Sequence, residues 1–155
     1  MTDSITVRKA SADDMPELLA IRREMLAAVN DVPESGISDG IMRLSEEYFR
    51  SGDQLTVLAY RGTELAGCAT ICWLSVMPTY SHPTGKRAHI MNVYTRPAFR
   101  REGAARRMLD VLLNEARERG ATSVTLDATE SGRLLYEKLG FRRSEEHMEL
   151  ELTNI

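Results

Sequence analysis

A short basic segment containing a glycine joins a strand-like run to a helical one, and it constrains the fold more than any other part of the chain. The segment spans residues 100–105, between the apolar run 88–95 and the helical pattern 104–119. A strand, a turn and a helix in this order expose the unpaired N–H groups of the first helical turn, which carry partial positive charge. Gly103 leaves out a side chain where a ligand would approach the backbone. The pattern therefore predicts a phosphate-binding turn.

Positive charge is concentrated around the same turn. Residues 86–107 hold seven Lys or Arg and one acidic residue, whereas the whole chain has a formal net charge of −3. A local basic patch on an otherwise acidic chain fits one discrete anionic ligand. A nucleic-acid partner usually needs a basic face across the whole domain, so we expect none.

Length and composition predict a single domain over residues 1–155. The hydrophobic fraction of 43% and the charged fraction of 28% are ordinary for a soluble protein with a real core. No apolar run predicts a membrane span, and the N-terminus does not resemble a secretory signal. Cys68 and Cys72 lie in one predicted strand, where a disulfide between them would be poorly placed. The chain shows no Cys/His cluster, so we expect reduced thiols, no metal and a cytoplasmic protein.

Periodicity and turn residues predict a mixed α/β fold with the element order βααβββαβαβ(β). The predicted strands are 5–8, 55–60, 65–76, 88–95, 124–128 and one or two within 141–152. The predicted helices start at Ser11, span Ile37 to Tyr48, and cover 104–119 and 131–139. Hairpins followed by a β-α-β crossover imply a mostly antiparallel central sheet that is parallel around the turn. We expect six to seven strands, with helices on both faces.

Two motifs in this frame resemble those of a known family. The pattern RxxGxA at residues 100–105, after a strand and a proline, is similar to the acyl-CoA pyrophosphate motif of the GCN5-related N-acetyltransferases (the GNAT superfamily). The run YEKLGF at residues 136–141 is similar to the C-terminal tyrosine motif of that family. Either motif alone is moderately specific, and the pair in this order is more so. The resemblance covers nearly the whole chain and implies a GNAT-like fold and an acetyl-CoA-dependent N-acetyltransferase.

The resemblance also implies where the donor binds. In this family the backbone N–H groups of the turn hold the pyrophosphate, and the pantetheine arm pairs with the preceding strand where two parallel strands splay apart. The residues expected to contact the donor are Val93, Tyr94, Thr95, Arg100, Arg101, Glu102, Gly103, Ala104, Ala105 and Arg106. The family often carries an asparagine before the tyrosine helix, and here Thr129 or Ser131 would stand in its place.

For catalysis the resemblance implies that Tyr136 is the general acid, which protonates the departing CoA thiolate. Many family members have a carboxylate as base on the strand before the turn, where this chain has His89 and Met91. A histidine can act as a base near physiological pH. A structural hydrogen bond in a half-buried strand is an equally good interpretation of His89. The other candidates for the base are Glu24, His82, Tyr80 and a bound water.

The leading functional hypothesis is direct acetyl transfer from acetyl-CoA to a primary amine, without an acyl-enzyme, since neither cysteine lies near the motifs. A small-molecule amine is the expected acceptor, and a protein N-terminus or lysine is the alternative. A non-catalytic module that binds or senses acyl-CoA is the second class, because the usual carboxylate is missing. Dimers are common among proteins of this family, so a homodimer is included among the expected assemblies.

Overall fold

A five-stranded mixed sheet in the order β1-β2-β3-β4-β5 organises the computed structural model, which describes residues 4–153. The strands are β1 (Ile5–Lys9), β2 (Gln54–Arg61), β3 (Glu64–Ser75), β4 (Lys86–Thr95) and β5 (Ser123–Leu126). The helices are α1 (Met15–Asn30), α2 (Asp39–Arg50), α3 (Ala104–Glu118) and α4 (Arg133–Lys138). Neighbouring strands are antiparallel except β4 and β5, which are parallel. The predicted mixed, mostly antiparallel sheet is therefore confirmed.

The expectation of six to seven strands was too high. The tail over residues 141–152 forms no strand in the described part of the chain, and most of it is exposed. Met148, Leu150 and Leu152 alternate with polar residues, which is the pattern that predicts a strand, yet all three side chains are exposed. A strand needs a hydrogen-bonded neighbour and a face to bury, and this charged tail has neither here.

Helices cover both faces of the sheet, as the sequence predicted. On one face α3 packs Met108, Leu109 and Leu112 against buried strand residues such as Ile71 and Ile90. On the other face α1 packs its apolar side against β2 and β3. The buried residues of that second cluster include Leu18, Ile21, Met25, Leu58 and Cys68. Each such side chain contributes about 1.5–3 kcal/mol by leaving water, so the two clusters hold the sheet between the helices.

An ion pair ties the start of α1 to the edge of the sheet. Arg8 on β1 donates hydrogen bonds of 2.7 and 2.8 Å to the two carboxylate oxygens of Asp14, which also accepts the Ser11 N–H at 2.8 Å. The hydrogen bond from Arg8, followed by that from Ser11, holds the pKa of Asp14 well below its usual range. The contact fixes the position from which α1 crosses the sheet.

Two smaller findings concern the cysteines and the question of a membrane-spanning helix. Neither cysteine is in a disulfide, with Cys68 buried and Cys72 partly exposed. Burial raises the pKa of the Cys68 thiol to about 12. Within residues 4–153, none of the helices has both the length and the apolar character needed to cross a membrane.

Candidate active site

The parallel strands β4 and β5 part midway along β4. They are paired from Arg87 and Ser123 to Ile90 and Leu126, where β5 ends. Strand β4 continues for five more residues, and its β5-facing edge over residues 91–95 has no strand partner in the described part of the chain. This open edge includes all three residues of the strand predicted to pair with pantetheine, namely Val93, Tyr94 and Thr95.

A β-bulge at Asn92 shapes that edge. Asn92 has a left-handed backbone conformation with φ of 58°, and one residue of β3 opposes two of β4 here. Asparagine tolerates this conformation better than most residues. The bulge places Met91 and Asn92 on the face covered by α1 and α2. Val93 then packs toward α3 and Tyr94 toward α1.

Hydrogen bonds hold the bulge in place. The Asn92 side chain accepts from Nη1 of Arg22 at 3.1 Å and donates to Oγ1 of Thr70 at 3.1 Å. The Thr70 hydroxyl is in turn 2.7 Å from that of Thr56, and both threonines are buried. Sequence reasoning missed Asn92, although an asparagine inside an apolar strand is a recognisable signal for a left-handed residue.

The predicted phosphate-binding turn forms a cavity of about 260 Å³ at the N-terminus of α3. The first N–H groups of this helix, from Ala104 to Arg106, have no carbonyl partner within the helix. Gly103 caps it with φ of 83°, and a Cβ built there would meet no atom within 4 Å. The cavity is lined by Thr95, Phe99, Arg100, Arg101, Gly103, Ala104, Ala105, Arg106 and Leu135. An anion can therefore approach the backbone closely, and the residues present fit a pyrophosphate.

Glu102 is the residue of the predicted turn that does not line this cavity. Its carboxylate accepts hydrogen bonds of 2.9 and 3.1 Å from Nη1 of Arg61, whose guanidinium stacks over the Phe99 ring at 4.4 Å. The acidic side chain is thereby drawn away from the anion-binding surface. The positive charge of Arg61 thus offsets the negative charge of Glu102 beside the cavity.

Tyr136 lies on α4, next to Leu135 of the cavity lining. Its ring packs edge-on against Phe141, with centroids 6.0 Å apart, and a Cβ at Gly132 would come within 2.9 Å of it. Burial raises the pKa of Tyr136. Its hydroxyl makes no hydrogen bond to the residues that the structure describes, so a protonated phenol is free to donate.

Thr129 and Ser131 shape the turn before α4. Their hydroxyl oxygens are 3.3 Å apart, and that of Thr129 also lies 3.3 Å from the Gly132 nitrogen, from which it accepts a hydrogen bond. Both residues are exposed. The hydroxyls therefore have local partners, and a contact with the donor would compete with these bonds.

The candidates for the base have different surroundings. Nδ1 of His89 lies 2.7 Å from Oγ1 of Thr125, and its Nε2 lies 3.9 Å from a carboxylate oxygen of Asp127. Glu24 is in an ion pair with Arg96, with a Nε–Oε1 distance of 3.2 Å. His82 and Tyr80 lie in the loop between β3 and β4, where the His82 ring contacts Thr122 at 2.8 Å.

A second cavity of about 370 Å³ lies between α1, α2 and the β3–β4 face of the sheet. Its lining is mainly apolar and consists of Arg22, Ile41, Leu44, Ser45, Tyr48, Phe49, Thr70, Met91 and Asn92. The α2 residues have the helical spacing that marked this helix in the sequence, but Ile41 and Leu44 face the cavity rather than the core. Both cavities border the open part of β4, because Met91 and Asn92 line one and Thr95 lines the other.

Comparison with known proteins agrees with this geometry. Residues 22–141 match the model of the acetyltransferase (GNAT) family. A glucosamine 6-phosphate N-acetyltransferase from Trypanosoma brucei brucei is 28% identical over 136 residues, which cover 86% of this chain and 89% of that protein.

Solved structures extend the likeness. A Clostridium acetobutylicum protein described as a predicted acetyltransferase, crystallised with acetyl-CoA, is 32% identical and superposes with a TM-score of 0.82 over 96% of both chains. A GCN5-related N-acetyltransferase from Ralstonia eutropha has the same fold, with a TM-score of 0.75 at 22% identity over 97% of this chain and 100% of that one. The chain thus belongs to the GNAT family and is an N-acetyltransferase that uses acetyl-CoA as its acyl donor.

Proposed function

We propose that this enzyme transfers the acetyl group directly to the primary amine of a small molecule bound in the cavity between α1, α2 and the sheet. The observation that carries the proposal is that this cavity and the anion-binding cavity both border the last residues of β4. A volume of about 370 Å³ lies within the usual range for small-molecule sites. The small-molecule acceptor of the Trypanosoma relative supports the same class.

The donor would occupy the smaller cavity and the open edge. The N–H groups from Ala104 to Arg106 face the pyrophosphate, and the side chains of Arg100 and Arg101 add positive charge. The main chain from Val93 to Thr95 pairs with the amides of pantetheine as an added strand would. This placement brings the thioester to Asn92, where the larger cavity begins.

Acetyl-CoA supplies the acetyl group as a thioester. The acceptor nitrogen forms the new C–N bond while the C–S bond breaks. His89, directly or through a water molecule, takes the proton that the amine loses. Tyr136 donates its phenolic proton to the departing sulfur, and the raised pKa keeps it in the acid form at neutral pH.

An acceptor screen tests the proposal. Purified enzyme with acetyl-CoA is offered small amines and, in parallel, peptides with a free N-terminus or a lysine, and thiol release is followed. We expect turnover with small amines that greatly exceeds that with peptides. Turnover with peptides alone would make the enzyme a protein acetyltransferase, and tight CoA binding without any turnover would make the chain a sensing module.

A cavity-filling variant tests the place of the acceptor. Ser45 lines the larger cavity from α2, so Ser45→Phe should raise the KM of the acceptor and leave the Kd of acetyl-CoA unchanged. Glu47→Phe, on the exposed side of the same helix, is the matched control. Equal effects of the two variants would place the acceptor elsewhere.

A further inference from the structure

Arg22 on α1 is a half-buried cation without a carboxylate partner in the described residues. Its Nη1 donates to the neutral amide oxygen of Asn92 at 3.1 Å. The lining of the larger cavity contains no Asp or Glu, and Arg22 is the one charged residue in it. Charges that leave water are normally paired with a charge of opposite sign. Residues 4–153 therefore supply no counter-ion for Arg22.

Two other arginines near the sheet have such a partner. Arg96 pairs with Glu24 at 3.2 Å and Arg61 with Glu102 at 2.9 Å. Burial lowers the pKa of Arg22, which is the direction expected when a guanidinium loses water and gains no anion. Arg22 differs from these two arginines because it lines a mainly apolar cavity whose lining includes no acidic residue.

The shape of the guanidinium defines what this partner can be. Only Nη1 of Arg22 is used in a hydrogen bond to the residues described, so the other N–H groups are available to the cavity. A guanidinium binds carboxylate and phosphate oxygens in a fork of two hydrogen bonds. The rest of the wall, including Ile41, Leu44 and Phe49, offers apolar contact.

We infer that the acceptor is a primary amine with an apolar body and an anionic group, a carboxylate or a phosphate, that pairs with Arg22. This inference rests on the proposed function, because it assigns the larger cavity to the acceptor. In the alternative, Arg22 serves only to hold the Asn92 bulge. That role would affect acetyl-CoA and every acceptor alike, so the two can be separated by experiment.

The test compares matched acceptors on the wild-type enzyme and on Arg22→Gln. The pairs are phenylalanine with phenylalaninamide and leucine with leucinamide, and aminoalkyl phosphates form a separate arm that distinguishes phosphate from carboxylate. A charge-assisted hydrogen bond corresponds to about 10-fold to 100-fold in affinity. We expect wild-type kcat/KM to favour an anionic acceptor over its amide by that factor, and Arg22→Gln to remove the preference through KM.

Two control variants distinguish the loss of the Arg22 charge from an effect on folding. Arg22→Lys keeps the positive charge and should retain part of the preference. Arg43→Gln removes a cation from the exposed side of α2, where Arg43 contacts Glu47 at 3.5 Å, and should change nothing. The KM of acetyl-CoA and the melting temperature show whether Arg22→Gln leaves the donor site and the fold intact.

The outcomes distinguish this inference from the function on which it rests. Equal use of acids and amides by the wild type, or an equal loss for both in Arg22→Gln, overturns the anion pairing and leaves amine acetylation standing. If no amine is acetylated, the proposed function fails. Calorimetric titration of the same acids and aminoalkyl phosphates into CoA-saturated enzyme then decides the pairing. Binding to the wild type and not to Arg22→Gln supports it, and any other result overturns it.

Discussion

The Nδ1 atom of His89 lies 2.7 Å from Oγ1 of Thr125, at the last but one residue pair before β4 and β5 part. The contact orients the imidazole at the mouth of the open edge. When Nδ1–H donates to the Thr125 hydroxyl oxygen, Nε2 is left with a free lone pair, as a base requires. The same contact would also suit a purely structural histidine, so variants must decide between the two roles.

Replacement of His89 by glutamine tests the base. The glutamine amide can keep a hydrogen bond to Thr125, so a structural role would survive the change. We expect His89→Gln to lower kcat about 100-fold or more. The measurement is kcat with a saturating amine, and Thr125→Val is the control that keeps the imidazole. An unchanged kcat in His89→Gln would assign the proton to water.

Replacement of Tyr136 by phenylalanine tests the acid. Phenylalanine keeps the packing against Phe141 and removes only the hydroxyl. We expect kcat to fall by about 100-fold or more, with little change in the KM of acetyl-CoA. Burial raises the pKa of Tyr136, so the wild-type phenol stays protonated through neutral pH, and any loss of activity by its ionisation occurs above the usual value of about 10. Normal turnover by the variant would exclude the hydroxyl as the acid.

Gly103 and Gly120 form a matched pair at the two ends of α3. Their φ angles are 83° and 81°, so alanine at either position should cost about 1–2 kcal/mol of stability. Only Gly103 lines the anion-binding cavity, and we expect Gly103→Ala to raise the Kd of CoA about 10-fold or more, while Gly120→Ala leaves it unchanged. Calorimetric CoA titrations and denaturant unfolding give both numbers. A similar Kd for the two variants would remove the pyrophosphate from this turn.

The ion pair between Arg8 and Asp14 should make the free energy of unfolding depend on pH. Because the folded pKa of Asp14 is lowered, its stabilisation is fully present above the unfolded pKa of about 3.9 and is lost as the pH falls toward the folded value. We expect Asp14→Asn to cost about 1–3 kcal/mol at pH 7 and less at pH 3. Denaturant unfolding at both pH values measures this, with Asp13→Asn, an exposed neighbour, as the control. A cost that does not shrink in acid would contradict the assignment.

Much of the fold was predictable because local patterns and long-range packing agree. The apolar period of α3, the hairpin of β2 and β3 and the glycine turn each specify one structure with little help from the rest of the chain. The strand predicted within residues 141–152 was wrong for the opposite reason. Its alternation is a necessary feature of a strand, but pairing depends on a neighbour that no local pattern reveals.

The donor half of the candidate site was easier to predict than the acceptor half. Six of the nine residues that line the cavity around Gly103 lie within residues 100–106, so one short segment of sequence contains most of it. The larger cavity collects Arg22, Tyr48 and Asn92 from three separate elements, and its unpaired charge exists only once they are assembled. Its polar contacts, such as Arg22 to Asn92, span 70 residues of sequence.

Strand β5 ends at Leu126 and leaves part of β4 without a strand partner, which has a consequence for the stability of the protein in the cell. Under the proposed binding mode, the donor completes the sheet by pairing with the edge of β4 that the chain itself leaves open. A ligand that binds only the folded state stabilises it by about 2.7 kcal/mol at a concentration 100 times its Kd. The survival of the enzyme against unfolding and proteolysis would then follow the supply of coenzyme A, so its abundance would report the metabolic state of the cell.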